Sequence, residues 1–324
     1  MMKIATLGAG RMGRGIAVVF AFAGHDVTMV DFKPRTSEEF QKVAAEAMDE
    51  VRSTLGILVR IGLLREQDAP IIATRVSVAP HGQAGPVFAA AGLIMEGLPE
   101  ILALKRTALA EVSRLAGPEP IIASTTSSIL VDDMANAVEH PGRFLNAHWL
   151  NPAFLVPLVE LSPGRLTAPS TTARLKALLD GVGKVPVICA ATPGYIVPRM
   201  QGIVMNEAAR IVEDGVASVE DVEKAVKYGF GFRFAVLGVL EFIDWGGGDI
   251  LYHTSKYLTE ALGDTRYSSP SIIERNMHEG RIGMKTGKGF LDYEGVDLDA
   301  YREERLSAFA QSLHRMGLVK PPKL

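Results

Sequence analysis

Cysteine is almost missing from this chain: Cys189 is the only one among 324 residues. A single thiol cannot form an intrachain disulfide, so the fold must rest on its core, and a reducing compartment is expected. Cys189 lies in the apolar run "VPVICAA", where a small buried hydrophobe is the simplest reading. Long hydrophobic runs are lacking too. Stretches such as "IAVVFAFAG" fall short of the roughly 20 residues a membrane-spanning helix needs. "MMKIATLGAG" leads straight into a strand pattern, without the charged and then apolar segments of a secretory signal. No sign of charge dominates: 34 Lys and Arg stand against 37 Asp and Glu, a net charge of −3. Neither nucleic acid nor an anionic membrane is expected as a partner. These absences point to a soluble cytoplasmic protein, and no metal site is expected.

Apolar material is plentiful, at 48% of the chain, and the length suits two domains. Short apolar runs alternate with helical patterns through the first 190 residues. "KIATL", "DVTMVD", "TRVSV", "GLIMEG", "PIIAST", "RFLNAH", "VPLVEL" and "KVPVICA" read as strands. A long amphipathic helix is expected over 37–60, where Phe40, Val43, Ala47, Val51, Leu55 and Leu58 recur at three- and four-residue steps. Such alternation predicts α/β architecture: a parallel, doubly wound sheet of Rossmann type. After "TPGY" (192–195) strand patterns vanish. Gly215 is placed to stop one helix and Ser218 to start the next. The expected division is 1–190, a nucleotide-binding domain, and 191–324, a smaller all-helical domain.

"LGAGRMGRG" follows the first strand and carries Gly8, Gly10 and Gly13 in G-x-G-x-x-G spacing, with Met12 among them. The first glycine allows the tight turn, the second lets backbone approach a pyrophosphate, and the third lets helix and sheet pack closely. The helix N-terminus then presents N–H groups to the phosphates. Asp31, ending the second strand, can accept both ribose hydroxyls and repel a 2′-phosphate, so NAD is favoured over NADP. Lys33 and Arg35, cationic and close by, weaken that preference.

"AHWLNPAFLVPLVELSPG" (147–164) sets His148 at the end of one strand pattern and Glu160 on the next. Histidine can take and return a proton near neutrality. A carboxylate on its other ring nitrogen fixes the tautomer. On spacing alone an alternative stays open: a core histidine with an edge or surface carboxylate.

Taken together, the chain resembles the NAD-dependent L-3-hydroxyacyl-CoA dehydrogenases over nearly its whole length. The resemblance is carried by "GAGRMGRGIA", "IMEGLPEILALK", "STTSSI", "HWLNP", "PLVEL", "TPGYIVPR" and "KTGKGFLDY". It implies that His148 is the general base, Glu160 its orienting partner and Ser127 the serine on the substrate hydroxyl. It implies cofactor contacts for Asp31, Glu100, Lys105, Asn151 and Lys285. The bland reading of Glu100 and Lys105 is a solvated helix pair. It also implies a homodimer through the helical domain and a place in fatty acid metabolism.

The chain departs from the family pattern in places. Pro198 stands where the family has an asparagine that positions substrate and histidine. Proline is welcome in a first helical turn, and Gln201, one turn on, can supply an amide instead. Ala47 and Thr54 replace a serine and a lysine that hold CoA. "GFGFRFAVLG" resembles the branch acting on free hydroxy acids, such as L-gulonate 3-dehydrogenase and L-carnitine dehydrogenase. Arg233 could there clamp a carboxylate; its bland reading is a surface guanidinium or an ion pair with Glu241 or Asp244. The expected activity is oxidation of a secondary alcohol β to a thioester, with a free hydroxy acid as the alternative substrate. A protein that binds NAD without turnover is the alternative of another class.

Overall fold

A computed structural model describes residues 1–322. The chain divides into two compact units, Met1–Val204 and a second beginning at Met205.

The first unit is built on an eight-stranded sheet. Its strands are β1 (Lys3–Leu7), β2 (Asp26–Asp31), β3 (Val76–Pro80), β4 (Leu93–Glu96), β5 (Ile121–Ser124), β6 (Phe144–Trp149), β7 (Leu158–Pro163) and β8 (Val185–Ile188). They lie in the order β3-β2-β1-β4-β5-β6-β7-β8. The order runs outward both ways from β1 and β4, the doubly wound arrangement expected. In one respect the expectation of a parallel sheet is corrected: β6 and β7 are antiparallel. Only residues 150–157 separate them, and a link that short permits a hairpin but no parallel crossover.

Helices cover both faces, so the strands are apolar on both sides. Ile16, Phe20, Val51, Leu55 and Trp149 belong to one core, and Phe88, Leu109, Val112, Met134 and Phe144 to the other. Phe144 and Trp149 lie in different cores because side chains alternate along β6. His148, with even spacing from Phe144, therefore projects to the opposite face from Trp149. The helix Ser37–Arg60 has the expected bounds and buries Ala47, Val51, Leu55 and Leu58. Thr36 caps it, accepting from Glu39 N while the Glu39 side chain accepts from Thr36 N.

The second unit is helical. Its longer helices are Gly248–Leu262 and Leu298–Arg315. Among its described residues the only β pairing is two isolated bridges, Gly283 with Lys288 and Lys288 with Asp292. Buried Asp244 ties the "KTGKGFLDY" segment down by accepting from Phe290 N (2.9 Å) and Leu291 N (2.7 Å). Gly289 is required there, since a Cβ would come within 2.1 Å of the same carboxylate.

Candidate active site

The first glycine turn is made as its sequence suggests. Gly8 has φ +106°, a region open to glycine at little cost. A Cβ on Gly13 would meet the Gly8 carbonyl oxygen at 2.2 Å, whereas one on Gly10 would meet nothing within 4 Å. The third glycine thus allows close packing, and the second faces open space. That space is a cavity of about 510 Å³ lined by Gly8, Gly10, Arg14, Asp31, Arg35 and Gly97, among others. Its glycine floor and the carboxylate at the end of β2 fit the pyrophosphate and ribose of a dinucleotide. Met12 sits in the helix Arg11–Phe22 that starts from this loop. Asp31 is not idle: Arg35 Nε donates to its Oδ2 at 2.5 Å.

The antiparallel pairing makes His148 and Glu160 register partners, directly opposite across the ladder. Side chains so placed share a face and lie close. His148 Nδ1 is 2.8 Å from Glu160 Oε2, with the side chains 6% and 0% exposed. The other oxygen, Oε1, accepts from Ile196 N and Val197 N, each at 2.8 Å. A buried carboxylate is stable only when donors surround it, and here three N–H groups do so. With Nδ1 donating to Glu160, the lone pair of Nε2 is left for a substrate proton.

Val197 opens the helix Val197–Glu213, so its start is aimed at Glu160. The first amides of a helix have no partner within it. Val197 N is bonded to Glu160, and Arg199 N to Gly194 O at 3.1 Å. Pro198, between them, has no N–H to leave unpaired. Its place in this sequence is thereby explained without any polar role. Gln201, one turn on, is exposed.

Tyr195, which sequence reasoning passed over, is part of the same cluster. Its ring stacks on that of His148, centroids 5.0 Å apart and planes 10° from parallel. Its hydroxyl donates to Thr126 O at 2.9 Å and accepts from Asn146 Nδ2 at 3.1 Å. Burial pushes the phenol's pKa well up, so the group stays a neutral donor. The only hint in the sequence was the Pro-Gly-Tyr turn.

Glu100 and Lys105 are not a solvated helix pair. Glu100 Oε1 gathers the Thr126 and Ser128 hydroxyls and the amides of Ser127 (3.0 Å) and Ser128 (2.8 Å). Partial burial pushes its pKa up, but these hydrogen bonds and the nearby Lys105 charge outweigh that and hold it at about 2. Ser127 itself is exposed at the tip of this turn. Lys105 is 1% exposed. Its ammonium donates to Glu96 Oε1 (2.8 Å), Glu96 Oε2 (2.9 Å) and Leu98 O (3.1 Å). Glu96, fully buried, also takes the Ser124 hydroxyl at 2.5 Å. The ammonium's three protons are thus all engaged by the protein.

Asn151 is exposed on the loop between β6 and β7. Lys184, another residue the sequence reading missed, pins that loop by donating to Ala153 O (2.5 Å) and Val156 O (2.9 Å). Ala47 is 0% exposed, so its methyl is core packing. In the second unit, Arg233 makes neither of the ion pairs considered for it. Its guanidinium lies over the Phe242 ring at 5.5 Å, while Glu241 is taken by Tyr301 and Arg305. Lys285 Nζ pairs with Asp249 Oδ2 at 2.6 Å.

The NAD-binding domain of 3-hydroxyacyl-CoA dehydrogenase matches residues 3–192, and that enzyme's C-terminal domain matches residues 194–293. The chain belongs to the 3-hydroxyacyl-CoA dehydrogenase family. It is therefore an enzyme, an oxidoreductase whose cofactor is NAD. It is 31% identical to a human mitochondrial hydroxyacyl-coenzyme A dehydrogenase, over 90% of this chain and 91% of that one. It is 29% identical to the 5-formyl-3-hydroxy-2-methylpyridine 4-carboxylate 5-dehydrogenase of Mesorhizobium japonicum, over 94% of both chains. Among solved structures, the 3-hydroxyacyl-CoA dehydrogenase of Archaeoglobus fulgidus superposes with a TM-score of 0.76. It is 30% identical, covering 98% of this chain and 100% of that one. Among the described residues no helix is long and apolar enough to cross a membrane.

Proposed function

We propose that this enzyme oxidises (S)-3-hydroxyacyl-CoA to 3-ketoacyl-CoA, with His148 as the general base. The observation that carries this reading is the His148–Glu160 pair at 2.8 Å, with the imidazole's second nitrogen left for substrate. Bound NAD supplies the hydride acceptor. His148 Nε2 takes the hydroxyl proton as the carbonyl forms, and Glu160 steadies the imidazolium. Ser127, exposed on a turn that Glu100 holds rigid, binds the substrate oxygen. Gly8, Gly10, Met12, Gly13 and Asp31 form the dinucleotide cradle, with Asn151 and Lys285 as further cofactor contacts. Glu100 and Lys105 serve the cofactor indirectly, by fixing residues 96–100 and the serine turn.

Residues 1–190 carry the base, Ser127 and most cofactor contacts in this reading, and 191–324 add Lys285, further substrate contacts and a homodimer interface. Exposed apolar side chains such as Ile203, Met205, Ile250 and Tyr257 support assembly. The lone cysteine supports a cytoplasmic setting, and the hydroxyacyl-CoA dehydrogenases among the relatives support a role in fatty acid metabolism.

The relatives' names favour the thioester over a free hydroxy acid. With Ala47 buried, no polar side chain there reaches CoA, and Arg233, paired with no carboxylate among the described residues, remains the candidate clamp for an acid, with Pro198 and Gln201 nearer the base in sequence. NADH formation with 3-hydroxybutyryl-CoA and free 3-hydroxy acids tests the reading. A CoA ester favoured in kcat/KM by orders of magnitude, with Arg233→Ala silent, supports it. A preferred free acid overturns it.

A further inference from the structure

We propose that Tyr195 is the positioning residue that sets the plane of the His148 imidazole and couples it to the serine turn. This rests on the reading of His148 as general base. A hydrogen bond to Glu160 fixes one edge of the imidazole but leaves the ring able to rock about that bond. Tyr195 removes this freedom, because its ring lies flat on the imidazole at a 5.0 Å centroid separation. The tyrosine is itself held at its far end, by Thr126 O and Asn146 Nδ2. Thr126 is one residue from Ser127, and its hydroxyl is bonded to Glu100. A shift of the serine turn must therefore move the tyrosine hydroxyl, and with it the ring under the base.

The backbone shows that the placement is imposed. Tyr195 has φ +45° and Gly194 φ +77°. A left-handed conformation is costly for a residue with a large side chain and persists only where surrounding contacts demand it. This turn swings the chain so that three consecutive residues bear on the same pair. Tyr195 stacks on His148, and the amides of Ile196 and Val197 grip Glu160. One short segment thus holds both the ring plane and the carboxylate.

The test is steady-state kinetics with 3-hydroxybutyryl-CoA and NAD, on Tyr195→Phe and Tyr195→Leu, each made alone and with His148→Ala. Tyr195→Phe keeps the stack and loses the tether, and should lower kcat by about three- to tenfold, the worth of one hydrogen bond. Tyr195→Leu loses both and should lower kcat by about a hundredfold, the scale of a 1 Å misplacement. KM for NAD should stay unchanged. In the His148→Ala background Tyr195→Leu should have no further effect, since it acts through the histidine. A Tyr195→Leu enzyme with near-normal kcat beside an inactive His148→Ala overturns the inference alone. So does an equal loss in both backgrounds, which a merely structural role would give. An active His148→Ala overturns the base assignment and this inference with it.

Discussion

Arg35 Nε donates to Asp31 Oδ2 at 2.5 Å, so the carboxylate suited to a ribose is already bound to a cation suited to a phosphate. To accept two ribose hydroxyls, Asp31 must share or release that guanidinium. NAD should still be preferred, since a 2′-phosphate would lie against the carboxylate. Arg35→Ala should raise the ratio of kcat/KM for NAD over NADP by about tenfold, the worth of one charge-assisted contact. Asp31→Asn should lower it. Comparing both cofactors in the three enzymes measures this; a ratio insensitive to Arg35 would leave Asp31 as the sole determinant.

The His148–Glu160 pair gives a second expectation. Removing a general base costs about 10²–10⁴ in rate. His148→Ala should show that loss in kcat, with NAD affinity by fluorescence titration unchanged. Glu160→Gln should lose less, because an amide oxygen can still accept from Nδ1 but carries no charge to steady the imidazolium. Most of the activity remaining in His148→Ala would remove the histidine from the chemistry.

Glu100 gives a pH dependence whose sign is fixed. Its pKa falls from 4.5 to about 2 on folding. The stability it contributes is therefore complete above 4.5 and is lost as pH drops from there toward 2. Glu100→Gln should flatten that acid limb in denaturation midpoints followed between pH 5 and 2. Wild type and variant with parallel acid limbs would show that the hydrogen bonds around Glu100 do not discriminate its charged form.

Lys105→Met should leave Glu96 buried and uncompensated. Breaking one partner of a buried pair costs about 3–5 kcal/mol, which chemical denaturation resolves easily. Lys105→Met with Glu96→Gln should recover part of the loss, since a neutral amide needs no counter-charge. A near-neutral Lys105→Met would mean that Glu96 does not depend on the ammonium in the fold.

Much of this was legible because the sequence spells it locally. The helix 37–60 declares itself by period and by its cap, and the glycine turn by spacing. The two residues of the dyad were visible as oddities in apolar strands. Their direct opposition was not, because it depends on β7 reversing direction, and a buried strand reads the same whichever way it runs. Lys105 misled for a similar reason. A lysine in the first turn of a helix, beside Arg106, reads as solvated, and only the fold reveals that Glu96, at the end of β4, draws it inward. Tyr195 was hidden because stacking has no sequence signature, and its partners Thr126 and Asn146 are 69 and 49 residues away.

The antiparallel register of β6 and β7 has a consequence for inheritance. Backbone pairing keeps His148 opposite Glu160, whatever the loop between them contains. Apart from Asn151 and the carbonyls that Lys184 holds, residues 150–157 can change without unmaking the acid–base pair itself. The sheet is far less forgiving: sliding one strand by a single residue would bring Trp149, or Ala147, opposite the glutamate. Change in the turn is thus tolerated by the pair, and change in strand register is not.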